Sequence, residues 1–367
     1  MKNKKKYRDS SKNKPSITFG IIVLNGNPFI KYNLRSIYPF AHQIIVVEGA
    51  CPAAANVASS DGHSKDGTLN ELELFKENED FEDKLLIITA ESVGKPNGFW
   101  SEKTEMSQAY AEKATGNFLW QIDSDEFYTE EGMRLVFEML MEHPDISQVT
   151  FKTINFWGGL EYKVDGLILK LGDENFRRLF KWSPGSKYIN HRPPTVIDSN
   201  GLDMSDQTPI SSNEMEAIGV FLYHYEYLFV NQVKNKAEYY SKAPHCKGIR
   251  PASSWFDECY MKLKHPYRVH NIISHFSWLE RYQGKHPNQI YLMFTDVLLN
   301  NYENVRNNQD VECLLNNRVY RLGIFLLKYT LPFLRFHLFL KTNVRFILIR
   351  LKIWDKVQFL RLKSYKD

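Results

Sequence analysis

The sequence predicts an α/β fold built on a mostly parallel, doubly wound sheet, and three observations carry that expectation. Apolar runs of strand length recur through residues 17–122, helical stretches separate them, and polar or acidic residues close several of them. Strands of a parallel sheet are covered on both faces by their crossover helices, so they read as continuous apolar runs rather than alternating ones.

The first run is Ile17-Thr18-Phe19-Gly20-Ile21-Ile22-Val23-Leu24, broken by Asn25-Gly26-Asn27-Pro28. A helix follows with Ile30, Leu34 and Ile37 on one stripe and Pro39 near its end. Gln43 to Gly49 forms a second buried strand that carries Glu48 at its end. Asp66-Gly67-Thr68 starts a helix running to about Asn78, and Leu85 to Thr89 is a third strand. Residues 101–115 form a helix and Asn117 to Ile122 a fourth strand. Strand–helix alternation of this kind builds βαβ units.

From Val149 the pattern changes. Val149 to Phe156 alternates as one strand with a wet face, and Leu167 to Lys170 and Phe176 to Lys181 are further strands. Turns at Trp157-Gly158-Gly159 and Ser183-Pro184-Gly185 join them, so mixed pairing in a second subsheet is expected here. Residues 199–216 read as a surface loop, Gly219 to Tyr225 as the last strong strand, and 230–317 as mainly helical.

The 367 residues suffice for a full core, and 43% hydrophobic with 25% charged residues is an ordinary globular balance. The net charge of +4 is unevenly spread. Residues 1–15 carry seven Lys/Arg against one Asp, and residues 318–367 carry twelve against two, which leaves an acidic body. An acidic body with basic ends does not suit a nucleic-acid binder. It suits a domain held against an anionic membrane surface. From Arg318 onward apolar and basic residues interleave, with no uncharged run near the roughly 20 residues a span requires. In-plane amphipathic helices are expected instead. The four cysteines show no close metal spacing and read as free thiols, and residues 1–14 contain no signal peptide, so a peripheral position on the cytosolic side is expected. The domain reading is a basic tail over 1–15, a nucleotide-binding half over 16–126, an acceptor-side half over 127–235, a helical extension over 236–317 and a membrane-associating segment over 318–367.

Asp123-Ser124-Asp125-Glu126 follows directly on a buried strand. Several carboxylates at one strand end repel one another, and a hard cation such as Mg²⁺ or Mn²⁺ offsets the repulsion while binding phosphate oxygens. On a strand Asp123 and Asp125 point to the same face and reach one ion, with Ser124 turned away. The plainer alternative is an acidic helix N-terminus. Ligands of open parallel sheets bind beyond the carboxyl ends of the strands, where Asn25, Glu48 and the Asp123 group all lie.

This order of features resembles the GT-A fold, a Rossmann-like half with mixed acceptor-side strands, and in particular family 2-like glycosyltransferases. The resemblance spans about residues 16–235. It rests on Ile21 to Gly26, on Ile44 to Glu48 followed by Asp61 to Thr68, and most specifically on Gln121-Ile122-Asp123-Ser124-Asp125-Glu126-Phe127. It implies a transferase that uses a nucleoside-diphosphate sugar, a UDP-sugar by default, and a glycan or lipid-linked hydroxyl acceptor in cell-surface glycan or glycolipid assembly. Asn25 and Glu48 then face the nucleoside, Asp123 lies near ribose and metal, Asp125 binds the ion, and His224 completes the metal site. Lys234 and Lys236 follow as candidates for the diphosphate. An inverting enzyme needs a carboxylate base, for which Asp173 or Glu174 is the nearest candidate, and His191-Arg192 is a candidate contact for a phosphate-bearing acceptor. The alternatives are a sugar-phosphate nucleotidyltransferase, disfavoured because no Gly-rich loop follows the first strand, and a non-catalytic membrane-docked nucleotide-binding protein.

Overall fold

The structure, a computed structural model, describes residues 14–95, 97–166, 169, 176–242, 252–271, 276–300, 303–330 and 333. Two compact units divide it, Met1–Val311 and Glu312–Asp367.

The first unit opens with β1 (Ile17–Val23), α1 (Phe29–Ile37), β2 (Gln43–Glu48), α2 (Thr68–Asn78), β3 (Leu85–Ile88), α3 (Lys103–Lys113) and β4 (Phe118–Gln121). β5 (Glu126–Phe127), α4 (Glu130–Glu142), β6 (Gln148–Thr150), β7 (Thr153–Trp157), β8 (Tyr162–Gly166) and β9 (Arg177–Lys181) follow. Then come β10 (Lys187–His191), β11 (Pro194–Ile197), β12 (Pro209–Ile210), α5 (Ser212–Ala217), β13 (Leu222–Tyr227) and α6 (Val230–Lys242). The last elements of this unit are α7 (Ala252–Trp255), β14 (Ser277–Arg281) and α8 (Asn288–Asn300), and α9 (Gln309–Asn316) includes the boundary at Val311.

A seven-stranded sheet runs β12-β6-β9-β4-β1-β2-β3, parallel except where β9 inserts between β4 and β6. The mostly parallel sheet with mixed strands that the sequence predicts is therefore what forms. Its two faces bury different residues of the same strands. Phe19, Ile21, Ile44 and Val46 pack with Leu72, Phe75, Val136 and Leu140 on one side. Ile45, Val47 and Leu119 pack with Tyr110 and Phe180 on the other. This period-two division is why β1 and β2 carry no polar stripe. Gly20 is required on the second face, because a Cβ there would stand 2.5 Å from the Tyr110 ring.

A five-stranded sheet, β14-β8-β7-β13-β5, lies beside it in the chain path. The expected single strand over 149–156 is two strands in different sheets. β6 pairs antiparallel with β9, β7 pairs parallel with β13, and Phe151-Lys152 crosses between them. Burial decides the break: Phe151 is fully buried and stacks on Trp120 at 5.5 Å, which fixes the crossing point. The loop expected over 199–216 also holds structure, including β12 and α5. Ser211 and Glu214 close a capping box on α5, which satisfies two helix-terminal N–H groups reciprocally. The expected helical stretch 230–317 is helical in the main but contributes β14 to the second sheet. Phe176 to Lys181 does form a strand, but inside the first sheet, and Leu167 to Lys170 lies largely outside the described residues.

In the second unit residues 318–330 are helical and expose Val319, Leu322, Phe325, Leu326 and Tyr329. Among the described residues no helix is long and apolar enough to cross a membrane.

His286 shows how tightly the five-stranded region is packed. Its ring sits against Phe156, Tyr282 and Tyr291 at 4.7, 5.0 and 5.5 Å, and Nδ1 meets Tyr225 Oη at 2.8 Å. Burial pushes its pKa down to about 4, so the folded protein holds it neutral. The unfolded chain takes up that proton near pH 6.5, so stability falls as pH drops from there toward 4. Urea unfolding at pH 7 and pH 5 should show His286 contributing a loss of up to about 2 kcal/mol. His286→Phe should flatten that slope, and an unchanged slope would contradict the assignment.

Candidate functional site

The carboxyl ends of β1, β2 and β4 open on a cavity of about 650 Å³, closed on the far side by β9, the β10–β11 turn, β13 and α6. The chain leaves the first sheet after β4 and enters the second at β5, and Asp123-Ser124-Asp125 is the connection. It is a turn, closed by Glu126 N–H donating to Asp123 O at 3.0 Å, so strand alternation does not apply. Ser124 lines the cavity with both aspartates rather than facing away.

The two aspartates have different partners. Asp123 Oδ2 lies 3.4 Å from Arg178 Nη2, and the same guanidinium is held by both oxygens of Glu126, with Nε donating to Oε2 at 2.9 Å. Arg178 is 5% exposed and Glu126 fully buried. Burial is the largest influence and would raise the Asp123 carboxyl, but the basic groups around it, Arg178 first and Arg192 among them, together hold Asp123 below the usual carboxylate range. For Glu126 burial wins over Arg178, and its carboxyl is raised. Asn33 Nδ2 donates to the backbone oxygens of Glu126 and Asp123, at 2.6 and 3.3 Å, and so ties the turn to α1.

Asp125 faces β13 and α6. Its Oδ1 lies 3.6 Å from His224 Nε2, and its Oδ2 lies 3.6 Å from Lys236 Nζ and accepts from Gln232 Nε2 at 3.3 Å. Burial opposes ionisation here too. Lys236, then His224, overcome it and hold the carboxyl far below its ordinary value. Burial lowers the His224 imidazole, but Glu226 and Asp125 raise it above its ordinary value. Two residues on, Glu226 shares the His224 face of β13 and accepts from Lys236 Nζ at 3.2 Å.

The other sequence-derived candidates divide. Asn25 lines the cavity in a left-handed conformation (φ 54°) that asparagine tolerates, with its amide donating to Val57 O at 2.8 Å and accepting from Lys65 N–H at 2.8 Å. Glu48 is fully buried, absent from the cavity lining, and spends its carboxylate on His63 Nδ1 at 2.6 Å and on Ser64 N and Oγ at 2.8 and 2.7 Å. It shapes the loop after β2 and makes no wall of the cavity. Lys234 points outward from α6, because two residues turn a helix by about 200°. Lys236, one turn after Gln232, is the lysine inside. Asp173 and Glu174 lie outside the described residues. Sequence reasoning did not single out Arg178, Glu226 or Lys103 as site residues. For Glu226 a signal existed in its i+2 spacing from His224.

A divalent cation can be tested against these side chains. Asp125 and His224 offer a carboxylate and an imidazole across 3.6 Å. Two protein ligands with phosphate oxygens and water are a sufficient shell for Mg²⁺ or Mn²⁺. Asp123, tied to Arg178, is not drawn to the same point, and no group of three His, Cys, Asp or Glu meets as a cation site among the described residues. The fit is thus to a two-ligand site that needs a ligand's own oxygens.

No family model matches the chain, and no curated protein does. Solved structures with detectable similarity include S. aureus TarS 1–349, at 11% identity and a TM-score of 0.35, over 69% of this chain and 74% of that one. The same segment in complex with UDP-GlcNAc aligns at 13% identity and a TM-score of 0.32, over 45% of each chain. M. tuberculosis glucosyl-3-phosphoglycerate synthase in complex with Mn²⁺, UDP and glucosyl-3-phosphoglycerate aligns at 17% identity and a TM-score of 0.29, over 41% of this chain and 47% of that one. The chain thus spans less than half the length of the last two. Similarity this slight carries nothing about activity.

Removing Arg178 should leave the fully buried Glu126 without a counter-charge and take from the half-buried Asp123 its nearest cation. Arg178→Met is expected to lower stability by about 3–5 kcal/mol in urea unfolding. Arg178→Met with Glu126→Gln should recover part of that loss, whereas equal losses in both variants would show that charge is not the cause.

Proposed function

We propose that this chain is a glycosyltransferase that moves a sugar from a nucleoside-diphosphate sugar to a hydroxyl acceptor with the help of a divalent cation. The observation that supports this best is the Asp123–Asp125 turn, placed at the strand ends with both carboxylates held ionised inside the cavity. Carboxylates kept charged at such a position suit a cation that arrives with a diphosphate.

Each residue then has a task. Asp125 and His224 would hold the Mn²⁺ or Mg²⁺, which neutralises charge on the departing nucleoside diphosphate. Asp123, held by Arg178, is the second carboxylate of the turn and lies toward the ribose. Lys236 keeps Glu226 as a partner at 3.2 Å when Asp125 turns to a cation, so its charge remains in the cavity beside the diphosphate. Asn25 forms the wall on the nucleoside side, behind which Glu48 braces the loop. UDP is the default nucleotide. In an inverting reaction Asp173 or Glu174 would take the acceptor proton, which requires a carboxylate within about 3 Å of that hydroxyl.

The test is thermal unfolding with a panel of nucleoside diphosphates, with and without Mn²⁺. One nucleotide should stabilise the wild type by about 2.7 kcal/mol at a hundredfold excess over its Kd. That shift should need Mn²⁺ and disappear in Asp125→Asn. Stabilisation that survives in the variant would remove the cation role of Asp125, and no stabilisation by any nucleotide would remove the transferase reading.

A peripheral position at the cytosolic face of an anionic membrane, suited to a glycan or lipid-linked acceptor, is part of the same proposal. The exposed Leu322, Phe325, Leu326 and Tyr329 in a helical stretch that also carries Arg321 and Lys328 support it. The chain should co-sediment with anionic-lipid vesicles and be released by high salt. Phe325→Ser with Leu326→Ser should weaken the association, and retention on neutral vesicles alone would contradict it.

A further inference from the structure

The cavity contains two cations that form no ion pair, though the Asp123 carboxylate acts on both from a distance. Lys103, the first residue of α3, is half-buried with Nζ 4.6 Å from the centroid of the Tyr239 ring. Arg192, in the β10–β11 turn, is accessible from the cavity and donates from Nη1 to Tyr240 Oη at 3.1 Å. Among the described residues neither has a carboxylate within ion-pair distance. Two other cations that line the cavity are matched, Arg178 by Glu126 and Asp123 and Lys236 by Glu226 and Asp125.

The pair is held in place. His191, next to Arg192 and only 7% exposed, meets Ser107 Oγ of α3 through Nδ1 at 2.9 Å. That contact locks the β10–β11 turn to the helix that carries Lys103. Lys103 and Arg192 therefore stay within reach of each other's field, and after burial it is Arg192 that lowers the Lys103 ammonium. His191 adds no charge, since burial and then Lys103 push it down to about 3. The cost falls on Lys103, whose ammonium is lowered by burial and Arg192 although Asp123 and Tyr240 pull the other way, and an anion bound between the two cations relieves it.

We propose that Lys103 and Arg192, with Tyr240 Oη beside them, form a subsite for a phosphate group carried by the acceptor. Asp125, His224 and Lys236 already supply a cation site and a charge for the donor diphosphate, so a separate cation pair suits a second anionic group. The inference rests on the proposed transferase function only for which molecule brings the phosphate.

The experiment uses the full chain, with inorganic phosphate and, separately, UDP with Mn²⁺ as probes, read by thermal shift and calorimetry. Phosphate should stabilise the wild type, and Lys103→Gln and Arg192→Gln should each weaken its binding about tenfold. Arg192→Lys, which keeps the charge, should retain part of the affinity, and circular dichroism should show all variants folded. UDP with Mn²⁺ should bind these variants within about twofold of wild type. Loss of UDP binding in parallel with phosphate would assign the pair to the donor and overturn the acceptor subsite. Phosphate binding that is absent from the wild type, or equal in wild type and variants, would overturn the anion site itself. If UDP fails everywhere while phosphate behaves as expected, the transferase reading falls and the anion site stands.

Discussion

The buried guanidinium of Arg178 is the interaction on which the rest of the site depends. It lies where the chain passes from the seven-stranded sheet to the five-stranded one, gripping Glu126 at the start of β5 and reaching Asp123 in the turn after β4. The Arg178–Glu126 pair, taken out of water, is tolerable only as a complete set, because a lost partner leaves an uncompensated ion in low dielectric. The arrangement therefore specifies one path for the turn. Asn33 fastens the same turn through its backbone oxygens, so helix, turn and strand are fixed together.

From that clamp follows the electrostatic layout of the cavity. Asp123 faces Arg178, and Asp125 faces Lys236 and His224, so the acidic turn is neutralised from two sides by different strands and a helix. Burial by itself would protonate such carboxylates, and the cations keep them charged. A two-ligand cation site at Asp125 and His224 is compatible with this, because Lys236 has a second carboxylate to turn to. Lys103 and Arg192 form a different region, positive and without an ion-paired carboxylate, with Asp123 acting on both only from a distance.

Much of this was legible in the sequence, for reasons that are local. The continuous apolar runs marked the strands that parallel pairing buries on both faces, and the acidic turn after Ile122 marked the strand end that opens on the cavity. His224, in Tyr223-His224-Tyr225, stands out through the family resemblance rather than through any local pattern. Where the reading went astray, a distant contact decided. Nothing in Val149 to Phe156 shows that Phe151 must stack on Trp120 and so divide one apparent strand between two sheets. The α5 helix was readable in principle, since Ser211 and Glu214 have capping-box spacing, yet its polar surroundings read as a loop.

Sequence by itself determined the fold class, the order of strands and helices in the first half and the position of the acidic turn, because each depends on periodicity and on residues a few positions apart. Only the tertiary structure decided which polar groups face the cavity. Glu48 and Lys234 carry the right chemistry, but one is consumed by His63 and Ser64 and the other lies on the outer face of its helix. Arg178, Lys236, Lys103 and Arg192 come from β9, α6, α3 and a hairpin turn, brought to one cavity by sheet order and helix phase. Charges interact through space over a few ångströms, and their separation along the chain carries no record of that distance.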